Sequence, residues 1–317
     1  MKKRILACLL ALTTIFSVAG CNTTKDKTTV NIASMKGPTS IGLAKLYDNS
    51  DNKETKNDYN YNIYGAADEI TAGLIKGDID IAALPCNVAA TLYKKTEGEI
   101  LIAGINTLGV LYVVEKGDSI NQVSDLEGRT IYSTGQGTTP EYTFNHILNK
   151  NNTHADIVFA SEATEVVSTL TSTDNAIAVL PEPYVTIAKN SIPDLRVSLN
   201  LTEEWEKLST DSTMVTGVIV VRKEFANNNP DAMKTFLDEY KTSVEYANND
   251  VNGCATLLES LDIMKAAIAT KAIPNCNVVL ITGDEMEAKV TSYLNVLYEA
   301  NPQSVGGKAP ESGMFYK

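Results

Sequence analysis

Histidine, tryptophan and paired cysteine are scarce in this chain, which has two histidines, one tryptophan and five cysteines in 317 residues. Beyond residue 21 the cysteines are Cys86, Cys254 and Cys276, and no Cys-x-x-Cys or Cys/His spacing joins them. That excludes a recognisable zinc site, and no motif for another cofactor is present. Cys254 and Cys276 could pair, but all three thiols read better as small buried apolar residues. Positive charge is also short: 27 Lys and Arg stand against 39 Asp and Glu, a formal net charge of −12. Phosphate backbones repel such a chain, so nucleic acid is not an expected partner. Catalytic signatures are thin as well. His146, in a helix, and His154, in a polar turn, read as solvated side chains. Cys86 has no marked base beside it, and no carboxylate pair has a recognisable spacing.

What is present begins at the N-terminus. Met1-Lys2-Lys3-Arg4 is a positive segment, followed by an apolar run from Ile5 to Val18 and by the small residues Val18-Ala19-Gly20 before Cys21. The run is shorter than the roughly 20 apolar residues a bilayer core demands, so it reads as a secretory signal over residues 1–20. Val-Ala-Gly-Cys resembles a bacterial lipobox, which makes Cys21 the expected acylation site. More than one acyl (palmitate-type) chain on one residue gives stable anchoring. Residues 21–28 then read as the lipidated cysteine and a solvated tether to the cell membrane.

With 44% apolar residues the body reads as soluble and globular, and its length suits two lobes. From Thr29 a programme of strand, Gly- or Pro-bearing loop and helix repeats, which predicts α/β layers with mostly parallel strands. Strands are expected around Ile32, over Tyr59–Tyr64 and over Ile79–Leu84, with a helix over Ala67–Lys76 stopped by Gly77. The programme restarts at Gly128–Ser133, and Ile177-Ala-Val-Leu-Pro matches Ile81-Ala-Ala-Leu-Pro in kind. Leu111–Val114 and Val215–Val221 read as strands of the first lobe leading out to the second and back. The expected lobes are therefore residues 29–114 with 216–317, and residues 115–215. Residues 302–317, rich in Gly and Pro, read as a surface wrap.

In open α/β sheets, ligands bind beyond the carboxyl ends of strands, where loops feed helix N-termini. Four loops fit. The first, Met35–Ser40, offers Met35, Lys36 and Thr39, and the second, Leu84–Asn87, offers Leu84 and Asn87. The third, Gly135–Glu141, offers Gly135 and Gly137 for close backbone approach, with Thr138 and Thr139 as caps or ligand contacts. Thr138-x-x-Glu141 has capping-box spacing. The fourth, Leu180–Tyr184, offers Glu182, which favours a donor or cation, and Tyr184. The Gly-rich loop lacks the Lys-Ser/Thr of a P-loop and is no dinucleotide fingerprint.

Gly73-Leu-Ile-Lys-Gly-Asp-Ile-Asp-Ile-Ala, Asp125-Leu-Glu-Gly-Arg-Thr-Ile, Gly135-Gln-Gly-Thr-Thr-Pro-Glu-Tyr, Leu180-Pro-Glu-Pro-Tyr and Ser304-Val-Gly-Gly-Lys-Ala-Pro carry a resemblance. The chain resembles ABC-transporter substrate-binding lipoproteins of the nitrate/sulfonate/taurine type, a group that includes binders of a thiamine precursor and of riboflavin. The resemblance implies a type II periplasmic-binding-protein fold, two α/β lobes joined by two crossovers around a ligand cleft. It also implies a monomer that closes on its solute and docks on an ABC permease and its ATPase. The family's anion-binding positions map to the Gly135–Thr139 and 35–39 loops. No arginine lies in the four loops, which weakens the case for a fully charged sulfonate and makes a neutral or zwitterionic organic solute at least as good an expectation. Two alternatives remain: a sensor presenting its closed form to a membrane receptor, and an enzyme on the same fold, as in pyrimidine-precursor or menaquinone biosynthesis.

Overall fold

The computed structural model describes residues 27–208 and 212–317. The expected signal segment, Cys21 and most of the tether lie outside the described residues. The strands are β1 (Thr29–Met35), β2 (Asp58–Tyr64), β3 (Ile81–Pro85), β4 (Ile100–Leu108), β5 (Leu111–Lys116), β6 (Thr130–Ser133), β7 (Asp156–Phe159), β8 (Ile177–Pro181), β9 (Leu195–Asn200), β10 (Val215–Arg222) and β11 (Val278–Ile281). They form a six-stranded sheet ordered β11-β4-β10-β3-β1-β2 and a five-stranded sheet ordered β7-β6-β8-β5-β9. Helices cover both sheets, giving a two-lobed α/β architecture with two crossovers.

The repeated programme is visible as equivalent pairing. Ile32 lies opposite Ile81 in the first sheet, and Ile131 lies opposite Ile177 in the second, both in parallel register. Beyond that pair each sheet adds an antiparallel strand, β10 against β3 and β5 against β8. The strands are therefore mixed and not mostly parallel as the alternation predicts, because β4, β5, β9, β10 and β11 all pair antiparallel. The central strands β3 and β8 carry continuous apolar runs, the pattern of strands covered on both faces.

One boundary differs from expectation. Leu111–Val114 belongs to the second sheet, where Leu111 to Glu115 pair with Pro181 to Ile177. The first crossover is thus Gly109–Val110, and β5 is the counterpart of β10 in the other lobe. An apolar strand fits either sheet by composition, so its own residues do not name its partner. Asn277 donates from its amide side chain to the Gly109 carbonyl and accepts from the Leu108 amide at 3.2 Å, fixing this crossover to the first lobe.

Local signals set the helices that frame the strand-end loops. Helix Ala67–Lys76 has Asp68 and Glu69 in its first turn and Lys76 in its last, and Gly77 ends it at φ 88. The amides of Gly77 and Asp78 bond the Gly73 carbonyl at 3.0 and 2.9 Å, satisfying the orphan end of the helix. Helix Pro230–Asn249 buries Met233, Phe236, Tyr240 and Val244 at helical spacing against the first sheet. One apolar cluster runs through both lobes, from Ala33 and Leu84 to Ile131, Phe144 and Trp205. The C-terminal stretch does more than wrap the surface. Ser304, Val305, Met314 and Phe315 are buried, and the Tyr316 amide bonds Ile102 at 2.9 Å. The thiols of Cys86, Cys254 and Cys276 are free and buried.

Candidate functional site

In each lobe the chain runs from the first strand to a neighbour on one side and then to one on the other, so β1/β3 and β6/β8 are the switch points where α/β sheets open a crevice. The four loops leave these strand ends. In the first lobe, Met35 is half-buried and Lys36 exposed, its ammonium 3.1 Å from Asp262. Asp262 is 98% exposed, so this pair is a weak rim contact. Thr39 is buried. Its hydroxyl bonds the Met35 carbonyl at 3.4 Å, and its carbonyl accepts from Asn106 at 3.0 Å. Leu84 is fully buried in the cluster common to both lobes and acts as core.

Asn87 joins the lobes. Only 2% exposed, its amide nitrogen donates to the Gly137 carbonyl at 3.4 Å and to the Ser304 carbonyl at 3.3 Å. Its amide oxygen accepts the Thr139 hydroxyl proton at 3.1 Å. The Gly-rich loop of the second lobe reaches that contact through two glycines in the left-handed region. Gly135 has φ 76 and Gly137 φ 73, and a Cβ on Gly135 would lie 2.7 Å from Thr138 Oγ1. The Thr138 hydroxyl donates to the Gly135 carbonyl at 2.7 Å and does not cap the helix Thr139–Lys150. Glu141 instead reaches back to accept from the Gly137 amide, one residue earlier than a capping box.

In the fourth loop, Glu182 is 3% exposed, and its two oxygens accept from the Thr186 amide and hydroxyl, each at 3.1 Å. It therefore secures the start of helix Tyr184–Ser191, while its own amide donates to Val110 at the crossover at 2.9 Å. Burial pushes its carboxyl up, against the opposing Thr186 bonds and the Lys189 charge. Tyr184 is half-buried, and burial raises its phenol too. Glu162 adds to that rise and Lys36 opposes it, so the phenol lies within electrostatic reach of the first lobe's rim. Asn87, Gly137 and Thr139 thus meet in one contact, Lys36 pairs with Asp262 at the rim, and Leu84 stands apart in the core.

Several residues of the lobe boundary carry no sequence signal. The Thr143 hydroxyl and the Tyr293 phenol are bonded at 2.8 Å in the interior. Trp205 is fully buried between His146, with ring centroids 4.8 Å apart, and Tyr293, at 5.2 Å. Their partners lie far apart in the chain, so neither motif nor spacing could name them. His146 corrects the expectation of a solvated ring: it is 6% exposed, while His154 stays in solvent. The stretch from Thr143 to Leu148 turns toward the first lobe and the helix Leu201–Leu208, and takes His146 with it.

Burial lowers the His146 pKa, Lys150 lowers it further and Glu299 opposes them. Protonation therefore favours the unfolded chain. Stability is fully present above the ordinary histidine pKa of about 6.5 and falls as pH drops through the depressed value in the fold. Chemical denaturation across pH 5–8 should show this slope in the wild type and a shallower one in His146→Phe; equal slopes would assign it elsewhere.

Among the described residues no cluster of three or more His, Cys, Asp or Glu could hold a metal ion, and no helix is long and apolar enough to cross a membrane. A search of the curated proteins found no match. Solved structures do match over most of the chain. An ABC transporter protein from Parabacteroides distasonis is similar at 24% identity and TM-score 0.77, over 92% of this chain and 99% of that one. The periplasmic aliphatic sulphonate-binding protein SsuA of Escherichia coli is similar at 13% identity and TM-score 0.72, over 88% and 96%. The ligand-binding component of an ABC-type import system from Staphylococcus aureus, with zinc bound, is similar at 13% identity and TM-score 0.67, over 90% and 100%. These likenesses give the periplasmic-binding-protein fold. A family model described as menaquinone biosynthesis matches residues 55–295. The chain therefore has the fold of periplasmic binding proteins and belongs to the menaquinone biosynthesis family.

Proposed function

We propose that this chain is an extracytoplasmic solute-binding lipoprotein, which captures a small organic or anionic solute between its lobes for an ABC importer. The observation that carries this reading is the Asn87 contact, in which one buried side chain of the first lobe bonds the Gly-rich loop of the second. Closing the lobes is what assembles that contact, so a solute held by both lobes shifts the population toward the closed form. Solved neighbours described as components of ABC import support the role, and Val18-Ala19-Gly20-Cys21 supports lipid anchoring outside the cytoplasm. An ABC permease and ATPase are the partners this role requires, with the protein acting as a monomer.

Asn87→Ala tests the contact. It strands the Thr139 hydroxyl and the Ser304 carbonyl in the interior and frees the part-buried Gly137 carbonyl, an expected cost of about 1–3 kcal/mol to the closed form and so a roughly 5- to 150-fold loss of solute affinity. A thermal-shift screen against alkanesulfonates, taurine, nitrate, thiamine precursors, riboflavin, purines and amino acids supplies the solute. At 100 times its dissociation constant a solute adds about 2.7 kcal/mol, a visible rise in Tm. A hit whose affinity Asn87→Ala leaves unchanged would remove this contact from the mechanism.

A second reading, an enzyme, is favoured by the family model itself. Its consequence is distinct, because the bound solute would be converted. The nearby groups are poorly disposed for that chemistry: burial drives the Cys86 thiol far above its ordinary pKa, and His146 packs beneath Trp205. Mass spectrometry of each hit after incubation separates the readings, since a carrier returns its solute unchanged.

A further inference from the structure

A cavity of about 510 Å³ opens between the lobes along the helix Tyr184–Ser191, apart from the Asn87 contact. Its wall includes the buried Glu182, with Tyr112 and Val197 beside it, and its exposed edge carries Lys189 from the second lobe and Lys271 from the first. The Lys271 ammonium donates to Asn190 across the lobe boundary at 2.8 Å, and the Lys189 charge acts on Glu182 from a distance. Glu203 adds one more negative charge near Tyr112. Each oxygen of Glu182 accepts one bond from Thr186, which leaves lone pairs on both. The cavity thus sets a buried carboxylate against two ammonium groups at its edge.

We propose that this lateral cavity is a second binding site, for a small zwitterion of the amino-acid class, with its ammonium on Glu182 and its carboxylate between Lys189 and Lys271. Charge selects that class. A simple organic acid would meet Glu182 unpaired, and a simple amine would meet the two lysines, whereas a zwitterion answers both. The volume lies in the range of small-molecule sites, and Tyr112 and Val197 offer a partly apolar wall for a side chain. Because each lobe supplies a cation, occupancy favours the arrangement in which the lobes meet. The zwitterion and the cleft solute then strengthen each other by one common factor. The site stands on its own residues and does not depend on which solute fills the cleft.

Isothermal titration of the purified protein with the standard amino acids, then with the N-acetyl and amide forms of the best binder, tests the assignment. The expected result is saturable binding of at least one amino acid and a loss of about tenfold for either single-charge form. Glu182→Gln should weaken the zwitterion about tenfold and Lys271→Gln about fivefold, since the lysine is exposed. Glu182→Gln should still fold, since its amide oxygen keeps the Thr186 amide bond and its amide nitrogen can donate to the Thr186 hydroxyl, and circular dichroism checks that it does. Binding of no amino acid would overturn the proposal. So would binding that survives both Glu182→Gln and Lys271→Gln, and binding lost in Asn87→Ala but kept in Glu182→Gln would move the site to the cleft.

Discussion

Trp205→Ala is expected to destabilise the protein by about 3–5 kcal/mol, the cost of emptying a large aromatic site in a packed interior. Trp205 is fully buried and belongs to the cluster common to both lobes. Its ring meets His146 on one side and, on the other, Tyr293 from the helix Gly283–Ala300 of the first lobe. Truncation therefore removes core volume and an apolar contact across the lobe boundary together. Denaturant unfolding followed by circular dichroism reads the loss, and a change under about 1 kcal/mol would mean that the boundary is loosely packed. Trp205→Phe should cost much less. The indole nitrogen is buried without a bonding partner, so phenylalanine keeps most of the ring contact and drops an unsatisfied donor. As the single tryptophan of the chain, Trp205 also makes wild-type fluorescence a local reporter of lobe closure.

Arg196→Met is expected to cost about 1–3 kcal/mol at pH 7, because it removes the cationic partner of a buried carboxylate while four hydrogen bonds to that carboxylate remain. Glu115, 1% exposed on β5, lies opposite Arg196 on β9, and its carboxylate contacts that guanidinium. It also accepts from the Ile120 amide at 3.0 Å, from Ser198 at 3.0 Å, and from the Ser119 hydroxyl and amide at 2.9 and 3.1 Å. Burial pushes the Glu115 pKa up, but the Ile120 bond, Arg196 and the two serines outweigh it, and the net shift is downward. A depressed carboxyl contributes stability above the unfolded pKa, near 4.3, and loses it as pH falls through the folded value. The penalty of Arg196→Met should therefore be full at pH 7 and shrink toward pH 4, and Glu115→Gln added to it should restore part of the loss. Equal penalties at both pH values would contradict this assignment. The pair lies away from Asn87, so solute affinity should hardly change.

The fold was legible where local chemistry decides conformation. Gly77 stops its helix as its position predicts, because glycine enters the left-handed region at no steric cost. The likeness between Ile81–Pro85 and Ile177–Pro181 reflects equivalent strands, each paired in parallel with the opening strand of its lobe. Leu111–Val114 was misplaced because apolar alternation reports that a strand is buried and says nothing of which sheet buries it. His146 was misread for a related reason. One face of its helix meets solvent and the other meets Trp205, whose position depends on a helix some sixty residues further on.

The candidate site is legible in the sequence as loops and not as contacts. The strand-end rule points to Asn87, Gly137 and Thr139, since it rests on backbone geometry that sequence patterns encode. Ser304, Thr143 and Tyr293 could not be found that way, because each acquires its role only when distant segments pack. Glu182 was expected as a ligand contact. Its bonds to Thr186 add a role in securing the start of the following helix, which only the path of that helix reveals.

The most direct test of solute capture is to expose the purified protein to a pool of small metabolites, wash it, and identify what is retained by mass spectrometry. Wild-type protein and Asn87→Ala should be compared side by side. Solute capture by lobe closure predicts one dominant compound, held at about one per chain, released chemically unchanged and largely lost from Asn87→Ala. Recovery of a converted product, or of the same compound in equal amount from both proteins, would contradict it.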